Sequence, residues 1–509
     1  MTIVERLFTW VMTQHRSAVV VTFALPLSLV WDATLAIRSF IVFKLRSAPG
    51  QHAARVTKIV QQVRDRPSGT RLCTARPGWQ SISLSYRTYK KNYHAVEMPL
   101  IDIVSVDTQA GLVVVEPFVT MGQLSAKLNP LGYTLPIVPE MDDLTVGGLI
   151  NGTGIESSSH IYGLFHEICV AFELCLGDGT IVVASEESNS DLFHAIPWSY
   201  GTLGLLLSAT LRIVPCKPYV RLTYTPFHSR AEAVAHFAEL STAGADAPDF
   251  VEGLAYSETD TVVMAGKYAA EVPRDGVLNS ISWWWKPWFY KHVEAKLALT
   301  GPTVEYLPLR DYYHRHSRSM FWEMEMMIPI GNHPLFRILL GWLMPPKVSF
   351  LKLTQTEMTR RLTEETHVAQ DFLVPIDKLH GFLDDCDTIL DRIYPVWLCP
   401  HQHADLKGSL LRGPLKPGRD GKQMYVDVGV YGLPQAVHRQ QPFHMRKAMR
   451  EVEAKLRGMN GVQMLYADIF QNREEFEQMF DHTEYRQVRE KYKAVGSFPE
   501  VFDKMHSLY

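Results

Sequence analysis

Glycine and hydroxyl residues are concentrated at 142–163, where the sequence reads DDLTVGGLINGTGIESSSHIYG. Four glycines lie between 147 and 154, and glycine lets the backbone approach a ligand and adopt positive φ. The hydroxyls and free N–H groups around them supply hydrogen-bond donors. This combination suits a buried, flat, phosphate-bearing cofactor better than a water-filled catalytic cleft. Such turns are also common in ordinary loops, and the pattern alone leaves that alternative open.

The composition is that of a globular protein with several domains. A chain of 509 residues is too long for one hydrophobic core, so two or three domains are expected. Hydrophobic residues make up 46% and charged residues 21%, which argues against disorder. The net charge of -3, without a stripe of Lys and Arg, predicts no nucleic-acid partner. Six scattered cysteines without a CxxC pair are unlike a disulfide framework or a zinc site, so we expect no metal and a reducing compartment.

An apolar segment near the N-terminus is long enough to cross a bilayer. Residues 17–37 contain one charge, Asp32, over about the 20 residues that a spanning helix needs. Cations are more frequent after this segment than before it, so the positive-inside bias predicts a luminal tip at 1–16, a single-pass anchor at 17–43 and a cytosolic remainder. Asp32 and Pro26 leave a monotopic or re-entrant anchor as the alternative.

Local patterns after the anchor predict an α+β architecture. Apolar residues recur at helical spacing over 56–63. Thr120 and Gln123 form a capping box that begins a helix, and a Gly-Asp-Gly turn closes a hairpin within 169–184. GxGxxG and Walker sequences are lacking, so no doubly wound nucleotide-binding domain is expected. Short apolar or alternating runs predict further strands at 71–74, 82–86, 101–106 and 112–115.

Longer motifs resemble a family of flavoproteins. The resemblance to the FAD domain of the vanillyl-alcohol oxidase / p-cresol methylhydroxylase superfamily is carried by CTARPGW, MPLIDIVSVD, VVVEPFVTMGQL and ELCLGDGT. Within that superfamily the chain is most similar to the Δ24-sterol reductase (diminuto/seladin) group, through GIESSSHIYGLF, YYHRHSRSMFWE, PPKVSFLKLTQ, QDFLVP and YPVWLCP. The resemblance implies a two-subdomain p-cresol methylhydroxylase-type FAD-binding domain at 44–216, an antiparallel-sheet substrate cap at 217–460, and a segment at 461–509 that returns to the FAD domain.

The resemblance also implies that FAD is bound without a covalent bond. Covalent relatives attach FAD through a loop His or through a Cys before paired glycines, and this chain has no His in 71–82 and no Cys between Cys73 and Cys169. The loop matching 74–79 would wrap the pyrophosphate, and the charge of Arg76 would assist it. The residues that the resemblance assigns to FAD are Arg76, Gly78, Thr145, Val146, Gly147, Gly148, Leu149, Ile150, Asn151, Gly152, Thr153, Gly154, Ile155, Glu156, Ser157, Tyr162, Gly163, Gly201 and Gly204.

The activity implied by the resemblance is NADPH-driven reduction of the C24=C25 side-chain double bond of a sterol. The enzyme would act in sterol biosynthesis at the endoplasmic reticulum membrane, with the Golgi as the alternative compartment. FAD carries the hydride chemistry, while the protein orients the alkene and supplies a proton. Without a second nucleotide domain, nicotinamide and sterol are expected to use the same flavin face in turn. The rival functions are an FAD oxidase or dehydrogenase of a small polar alcohol or lactone, and a sterol-binding scaffold without turnover.

The predicted proton donors are Asp371, Tyr313, His314 and Tyr466. Related sugar-lactone enzymes carry an acidic residue in a similar strand before a proline, which favours Asp371 in QDFLVP. Tyr313 and His314 lie in RDYYHRHSRSMFWE, whose histidines and arginines also fit a structural, solvated basic face. Tyr466 lies in MLYAD.

Two apolar clusters mark the predicted cap. The first, WWWKPWFYKH at 283–292, is rich in tryptophan, and the second spans 336–353. Packing in a core explains most such clusters. In a membrane-tethered protein they would also suit interfacial docking and extraction of a lipid-like substrate, and both interpretations stay open.

Overall fold

The computed structural model describes residues 16–80, 89–354, 357–406 and 408–506. The predicted tip, except Arg16, and the predicted strand at 82–86 lie outside the described residues. The described chain forms one N-terminal apolar helix followed by helices packed on antiparallel sheets, which confirms the predicted α+β class.

One long helix, here called the anchor helix, spans 16–46. It consists of α1 (Arg16–Val19), a π-helical turn (Val20–Ala24) and α2 (Leu25–Arg46). The segment Val20–Val42 has a mean hydropathy of 1.8 and is long enough to cross a membrane. The position agrees with the predicted anchor at 17–43.

The N-terminal half is built on a five-stranded antiparallel sheet. Its strands are β3 (Ile103–Asp107), β4 (Leu112–Val115), β6 (Cys169–Cys175), β7 (Ile181–Ser185) and β8 (Leu205–Arg212), in the order β3-β4-β8-β6-β7. Two small sheets flank it: the parallel pair β1 (Leu72–Thr74) and β2 (His94–Val96), and the pair β5 (Tyr133–Thr134) and β9 (Val214–Pro215). The helices are α3 (His52–Arg64), α4 (Met121–Leu128), α5 (Val146–Asn151), α6 (Ser159–Tyr162) and α7 (Ser190–Ala195).

Local sequence patterns correctly predicted three of these elements. The apolar residues of α3 are buried against the sheet, and α4 begins at the predicted capping box of Thr120 and Gln123. The hairpin of β6 and β7 turns at Gly179, whose φ of +81° lies in the left-handed region that glycine adopts without strain.

The second half carries an eight-stranded antiparallel sheet. Its strand order is β13-β10-β12-β11-β15-β16-β14-β17. The strands are β10 (Tyr219–Phe227), β11 (Phe250–Ala255), β12 (Thr261–Ala269), β13 (Thr303–Pro308), β14 (Val368–Pro375), β15 (Val396–Ala404), β16 (Lys422–Gly432) and β17 (Val462–Gln463). The helices are α8 (Arg230–Ser241), α9 (Phe289–Glu294), α10 (Leu309–Tyr313), α11 (Glu323–Met327), α12 (Pro334–Leu340), α13 (Val348–Thr354), α14 (Glu357–Thr366), α15 (Leu379–Ile389), α16 (Gln435–His438) and α17 (Met445–Gly458).

The C-terminal helices contact the N-terminal half. They are α18 (Arg473–Met479), α19 (Thr483–Lys491) and α20 (Val501–Met505). The buried Arg489 donates to the carbonyl oxygen of Thr202 at 2.7 Å, and Lys491 pairs with Asp191 at 2.7 Å. Residues far apart in the chain therefore hold the region around 200 in place.

Candidate active site

The loop after β1 lies beside the start of α5. Arg76 Nη1 donates to Thr145 Oγ1 at 3.3 Å, and its Nη2 donates to the carbonyl oxygen of Gln80 at 2.8 Å. Lys90 Nζ donates to the carbonyl oxygens of Thr74 at 3.0 Å and Arg76 at 2.7 Å. Burial lowers the pKa of Arg76, but a guanidinium stays charged in proteins. Two cations therefore order this loop, and their positive charge favours a phosphate-bearing ligand beside it.

The predicted glycine loop contains a short helix rather than an irregular loop throughout. Val146–Asn151 form α5, and the carbonyl oxygen of Asn151 accepts a hydrogen bond from the N–H of Tyr200 at 2.7 Å. The turn that ends at Gly201 is therefore fixed against the end of α5. Just beyond it, Thr153 Oγ1 is buried without a hydrogen-bond partner among the described residues, which leaves one polar group to a ligand.

The glycines of this region differ in what a side chain would meet. A Cβ at Gly147 would lie 2.8 Å from Pro117 Cβ, and one at Gly154 would lie 2.8 Å from a leucine carbon. Close packing against these protein atoms explains why glycine occupies positions 147 and 154. A Cβ at Gly78 would meet no described atom within 4 Å, and one at Gly201 would meet only polar side-chain ends at 3.8 and 3.9 Å. With respect to the described residues, Gly78 and Gly201 thus border open space, where a ligand can approach the backbone.

Other residues that were predicted to bind the cofactor make hydrogen bonds or close contacts within the protein. Ser157 Oγ donates to Glu156 Oε2 at 2.6 Å. Gly163, at φ +77°, ends α6, and a Cβ at Gly204 would lie 3.2 Å from a backbone oxygen. Tyr162 is partly exposed at the end of α6. The contacts give Gly163 and Gly204 structural roles, while their predicted contribution to cofactor binding stays a prediction.

A buried ion network joins the two halves of the molecule. Arg315 donates to both carboxylate oxygens of Glu252, at 2.7 and 2.8 Å, and pairs with Glu156 at 3.1 Å. The interpretation of a solvated basic face is wrong for Arg315, whose side chain is fully buried. Burial alone would raise the pKa of Glu252, but the charge of Arg315 and the hydrogen bond of His316 hold it below its ordinary value.

Asp371 lies in β14, which pairs with β16 in the eight-stranded sheet. The Tyr431 hydroxyl donates to Asp371 Oδ1, and Gly429, directly opposite Asp371, leaves room for this bond. A Cβ at Gly429 would lie 2.7 Å from the Tyr431 hydroxyl and 2.8 Å from Asp371 Oδ1. Burial raises the pKa of Asp371 to about 7, although the Tyr431 hydrogen bond opposes this. Asp371 can therefore be protonated at neutral pH and give up a proton.

Two further acids lie near Asp371. Neither carboxylate oxygen of Asp427 has a hydrogen-bond partner among the described residues, and burial with the nearby Asp371 and Glu140 raises its pKa. Burial and the charge of Glu156 raise the pKa of Glu140 to about 8. Like charges in a buried site cannot all ionise, so this cluster of acids retains protons at neutral pH.

The other predicted donors occupy different surroundings. The Tyr313 hydroxyl accepts from Thr134 Oγ1 and lies 3.0 Å from the Tyr268 hydroxyl, and burial raises its pKa. His314 Nδ1 lies 3.0 Å from the carbonyl oxygen of Glu140, and burial lowers its pKa. Tyr466 is half-buried, two residues after Met464, whose N–H donates to the Asp371 carbonyl oxygen at 3.0 Å. The structure thus brings the segment of Tyr466 to Asp371 and places Tyr313 in a separate cluster of hydroxyls.

Sequence reasoning missed Glu140, Glu252, Asp427 and Tyr431. One signal was present: VDVGVYG in β16 alternates valine with Asp427, Gly429 and Tyr431, which places those three on one face of a strand. A carboxylate within such a buried strand is costly, and that cost points to function.

Comparison with known proteins places this site in a family. A family model described as an FAD binding domain matches residues 51–185. The chain is 47% identical to Delta(24)-sterol reductase of Homo sapiens over 97% of its length and 94% of the relative's. It is 41% identical to the Delta(24)-sterol reductase homolog of Caenorhabditis elegans, over 98% and 96%, and 41% identical to Delta(24)-sterol reductase of Arabidopsis thaliana, over 89% and 84%.

The chain belongs to the Delta(24)-sterol reductase family. Its FAD binding domain places it in the vanillyl-alcohol oxidase / p-cresol methylhydroxylase-type superfamily, as the motifs predicted. Similarity to L-gulonolactone oxidase of Mus musculus, at 33% identity, covers only 26% of the chain. The apolar N-terminal helix of the described chain fits a membrane-anchored member of the Delta(24)-sterol reductase family.

The residues present fit FAD. In this Delta(24)-sterol reductase family member, the loop held by Arg76 and Lys90 lies beside α5, the backbone at Gly78 and Gly201 borders open space, and Thr153 offers an unused hydroxyl. Cationic, backbone and hydroxyl donors are the set that binds a pyrophosphate.

Proposed function

We propose that this protein reduces the C24=C25 side-chain double bond of a sterol, with FAD bound non-covalently and NADPH as reductant. The observation that carries the proposal is the 47% identity, over 97% of the chain, to a protein named Delta(24)-sterol reductase. Phe321 and Trp322 pack on Tyr431, and Trp397 packs on Phe321, so aromatic rings beside Asp371 are consistent with an apolar substrate.

The cofactor is held by the loop of Arg76 and Gly78, by α5 with the turn through Thr153, and by Gly201. The other residues that the resemblance assigned to FAD, among them Tyr162, Gly163 and Gly204, line or support the FAD pocket. FAD, when bound, supplies the hydride-transfer chemistry. The nicotinamide and the sterol enter the same cleft in turn.

The protein contributes a proton and a dry site. Asp371 is the proposed proton donor because its carboxyl is buried, has a pKa of about 7 and accepts the Tyr431 hydrogen bond at Oδ1. Burial favours its protonated form, and the neighbouring acids Asp427 and Glu140 also have raised pKa values. His314 orients the chain at Glu140, and the Tyr466 segment borders β14. We also propose that 44–216 form the FAD-binding domain, 217–460 the substrate cap, and 461–509 the segment that returns to the FAD domain.

We also propose the cellular membrane at which the enzyme acts. The enzyme acts at the endoplasmic reticulum membrane, with the Golgi as the alternative, and its catalytic domains face the cytosol. Cations after the apolar segment 17–37, among them Arg38 and Lys44, support this orientation.

A product assay tests the function. Purified full-length protein is incubated with FAD, NADPH and desmosterol, and the sterols are analysed by mass spectrometry. Conversion to the saturated side chain is expected, with loss of conversion in Asp371→Asn and none in the matched control Asp377→Asn, an exposed residue just after the same strand. NADPH consumption that forms peroxide while the sterol stays unchanged would indicate an oxidase instead.

A further inference from the structure

The anchor helix has two unlike faces. Leu25 and Ser28 are buried against the rest of the protein, and the half-buried Asp32, the only charge in the apolar segment, continues the same stripe. On the opposite side, Phe23, Val30 and Ile37 are 61–66% exposed. The helix therefore has two distinct sides: Ser28 and Asp32 face protein, and large apolar side chains face outward.

The first half of this helix packs on the second half of the molecule. Val20 and Leu25 form a buried cluster with Ile328 and Phe336, and Trp31 Nε1 donates to Ser349 Oγ at 3.1 Å. A helix that crossed the bilayer would carry Val20 about 33 Å from Val42, at the far leaflet. A catalytic body on the near side could not then touch Val20, so these contacts favour a helix that lies along one leaflet together with the body.

Helix α12 extends the apolar surface beside the anchor. Its inward residue Phe336 joins the buried cluster with the anchor helix. Its outward residues Leu335, Ile338 and Leu339, together with Trp342 in the next turn, are 53–66% exposed and follow the spacing i, i+3, i+4, i+7. A short helix that is apolar on both sides requires an apolar medium on its outer side.

The tryptophan triplet 283–285 adjoins α12. Its rings are 38–48% exposed and contact one another, with centroids 4.6 Å apart for Trp283 and Trp285 and for Trp284 and Trp285. Arg337 Nη1 on α12 donates to the Trp285 carbonyl oxygen at 2.9 Å. Tryptophan is the residue that favours the boundary between headgroups and acyl chains.

We propose that these three elements form one docking face that sits in a single leaflet of the membrane. The docking face comprises the outward stripe of the anchor helix, the outward residues of α12 with Trp342, and the tryptophan triplet. The bilayer is its occupant because the docking face is continuous with the membrane anchor, through the contacts of Val20 and Leu25 with Phe336. The enzyme is monotopic: the anchor helix lies in the plane of the leaflet, and the catalytic body rests directly on the lipid.

A depth measurement on the full-length protein in liposomes tests the docking face. Bimane is attached to Leu339→Cys, and to Val183→Cys, an exposed apolar site on β7, as matched control. The unsubstituted protein gives the background, since its cysteines are buried or, at Cys216, half-buried. We expect lipids with a nitroxide on a shallow acyl carbon to quench the label at 339 severalfold, while aqueous iodide quenches only the label at 183.

Two outcomes at position 339 would overturn the docking face. Quenching by iodide alone would place α12 in water. Protection from both quenchers would mean that a second copy of the chain, or residues 1–15, covers the surface. An unchanged thermal melting curve for each labelled protein excludes misfolding as the cause.

The depth of the anchor helix tests the monotopic arrangement separately. Labels at Phe23→Cys, Val30→Cys and Ile41→Cys lie on the outward stripe and are expected at one shallow depth. A deep position for 30 with shallow positions for 23 and 41 would demonstrate a helix that crosses the bilayer, and would refute this arrangement. Both measurements are independent of turnover, so failure of the proposed activity leaves their interpretation intact.

Discussion

Asp371, Asp427 and Glu140 are buried acids on or near one face of the second sheet. Burial of acids is destabilising unless each one is paired, and the carboxylate of Asp427 has no partner among the described residues. A site that must deliver a proton to carbon at neutral pH needs such neutral acids. We therefore attribute the loss of stability that these buried acids cause to the need for a neutral proton donor.

Substitution of Asp371 tests the proton donor. Asp371→Asn should lower kcat by about 10²- to 10⁴-fold, because an amide cannot supply the proton. In the unsubstituted enzyme, kcat should fall as pH rises through about 7, where the carboxyl loses its proton. Asp371→Glu should keep this alkaline limb, shifted in pH. A pH profile of Asp371→Asn that retains the full rate and the same limb would assign the proton to another group.

Arg315 should matter for stability more than any exposed arginine. Arg315→Met leaves Glu252 and Glu156 buried without their cation, and we expect a loss of about 3–5 kcal/mol in the free energy of unfolding. The matched control Arg310→Met removes an exposed pair with Asp142, worth less than about 1 kcal/mol. Equal destabilisation in urea titrations of the two variants would contradict the role assigned to Arg315.

At the scale of elements, β14 and β16 position the acids through their register. Asp371 is opposite Gly429, and Asp427 is two residues away on the same face. Alternation along β16 was visible in the sequence. The pairing of β16 with β14 was not, because it joins segments that are fifty or more residues apart.

Asp427→Asn should stabilise the protein in a pH-dependent way. The raised folded pKa means that the acid favours folding only while protonated, so stability declines as pH rises from the unfolded pKa of about 3.9 through the folded value. The variant removes this decline and should gain about 1–3 kcal/mol at pH 8 but little at pH 4. Thermal melts at both pH values measure the difference, and equal melts of variant and parent at pH 8 would contradict it.

His52 should give a pH dependence of the same sign as Asp427, at a higher pH. Its ring lies 2.8 Å from Glu116 and 3.0 Å from Glu173, and hydrogen bonds to these two acids raise its pKa to about 9. The contribution is fully present below about pH 6.5, the unfolded pKa, and is lost as pH rises through about 9. His52→Gln should therefore cost about 1 kcal/mol at pH 6, after allowance for solvent screening, and almost nothing at pH 10.

The control for His52 is an exposed histidine. His438→Gln should leave urea unfolding curves unchanged at both pH values because the residue lies on the surface. A loss in His52→Gln that is the same at pH 6 and pH 10 would show that packing, rather than charge, accounts for the effect.

At the scale of the whole molecule, local patterns predicted elements, and continuous resemblance predicted the family. The spacing in α3, the capping box of α4 and the turn at Gly179 are encoded within a few residues, so sequence reasoning found them. The bridge of Arg315 to Glu252 and Glu156 joins three distant segments. Only the folded chain brings them together, which is why Arg315 was open to interpretation as a surface residue.

The anchor illustrates the same limit. Its length and hydropathy were readable from 17–43, but the choice between crossing and lying in the membrane depends on what its first half touches. The contact of Val20 and Leu25 with Phe336 supplies that information. The hydropathy of the sequence does not reveal which residues the helix contacts.

The most direct test of the central claim follows the flavin itself. Full-length protein loaded with FAD is mixed anaerobically with NADPH, and its visible flavin absorbance is recorded before and after desmosterol is added, with cholesterol as the saturated control. The account predicts bleaching by NADPH and recovery of the absorbance on desmosterol but not on cholesterol. Recovery only on admission of oxygen, or no bleaching at all, would contradict it.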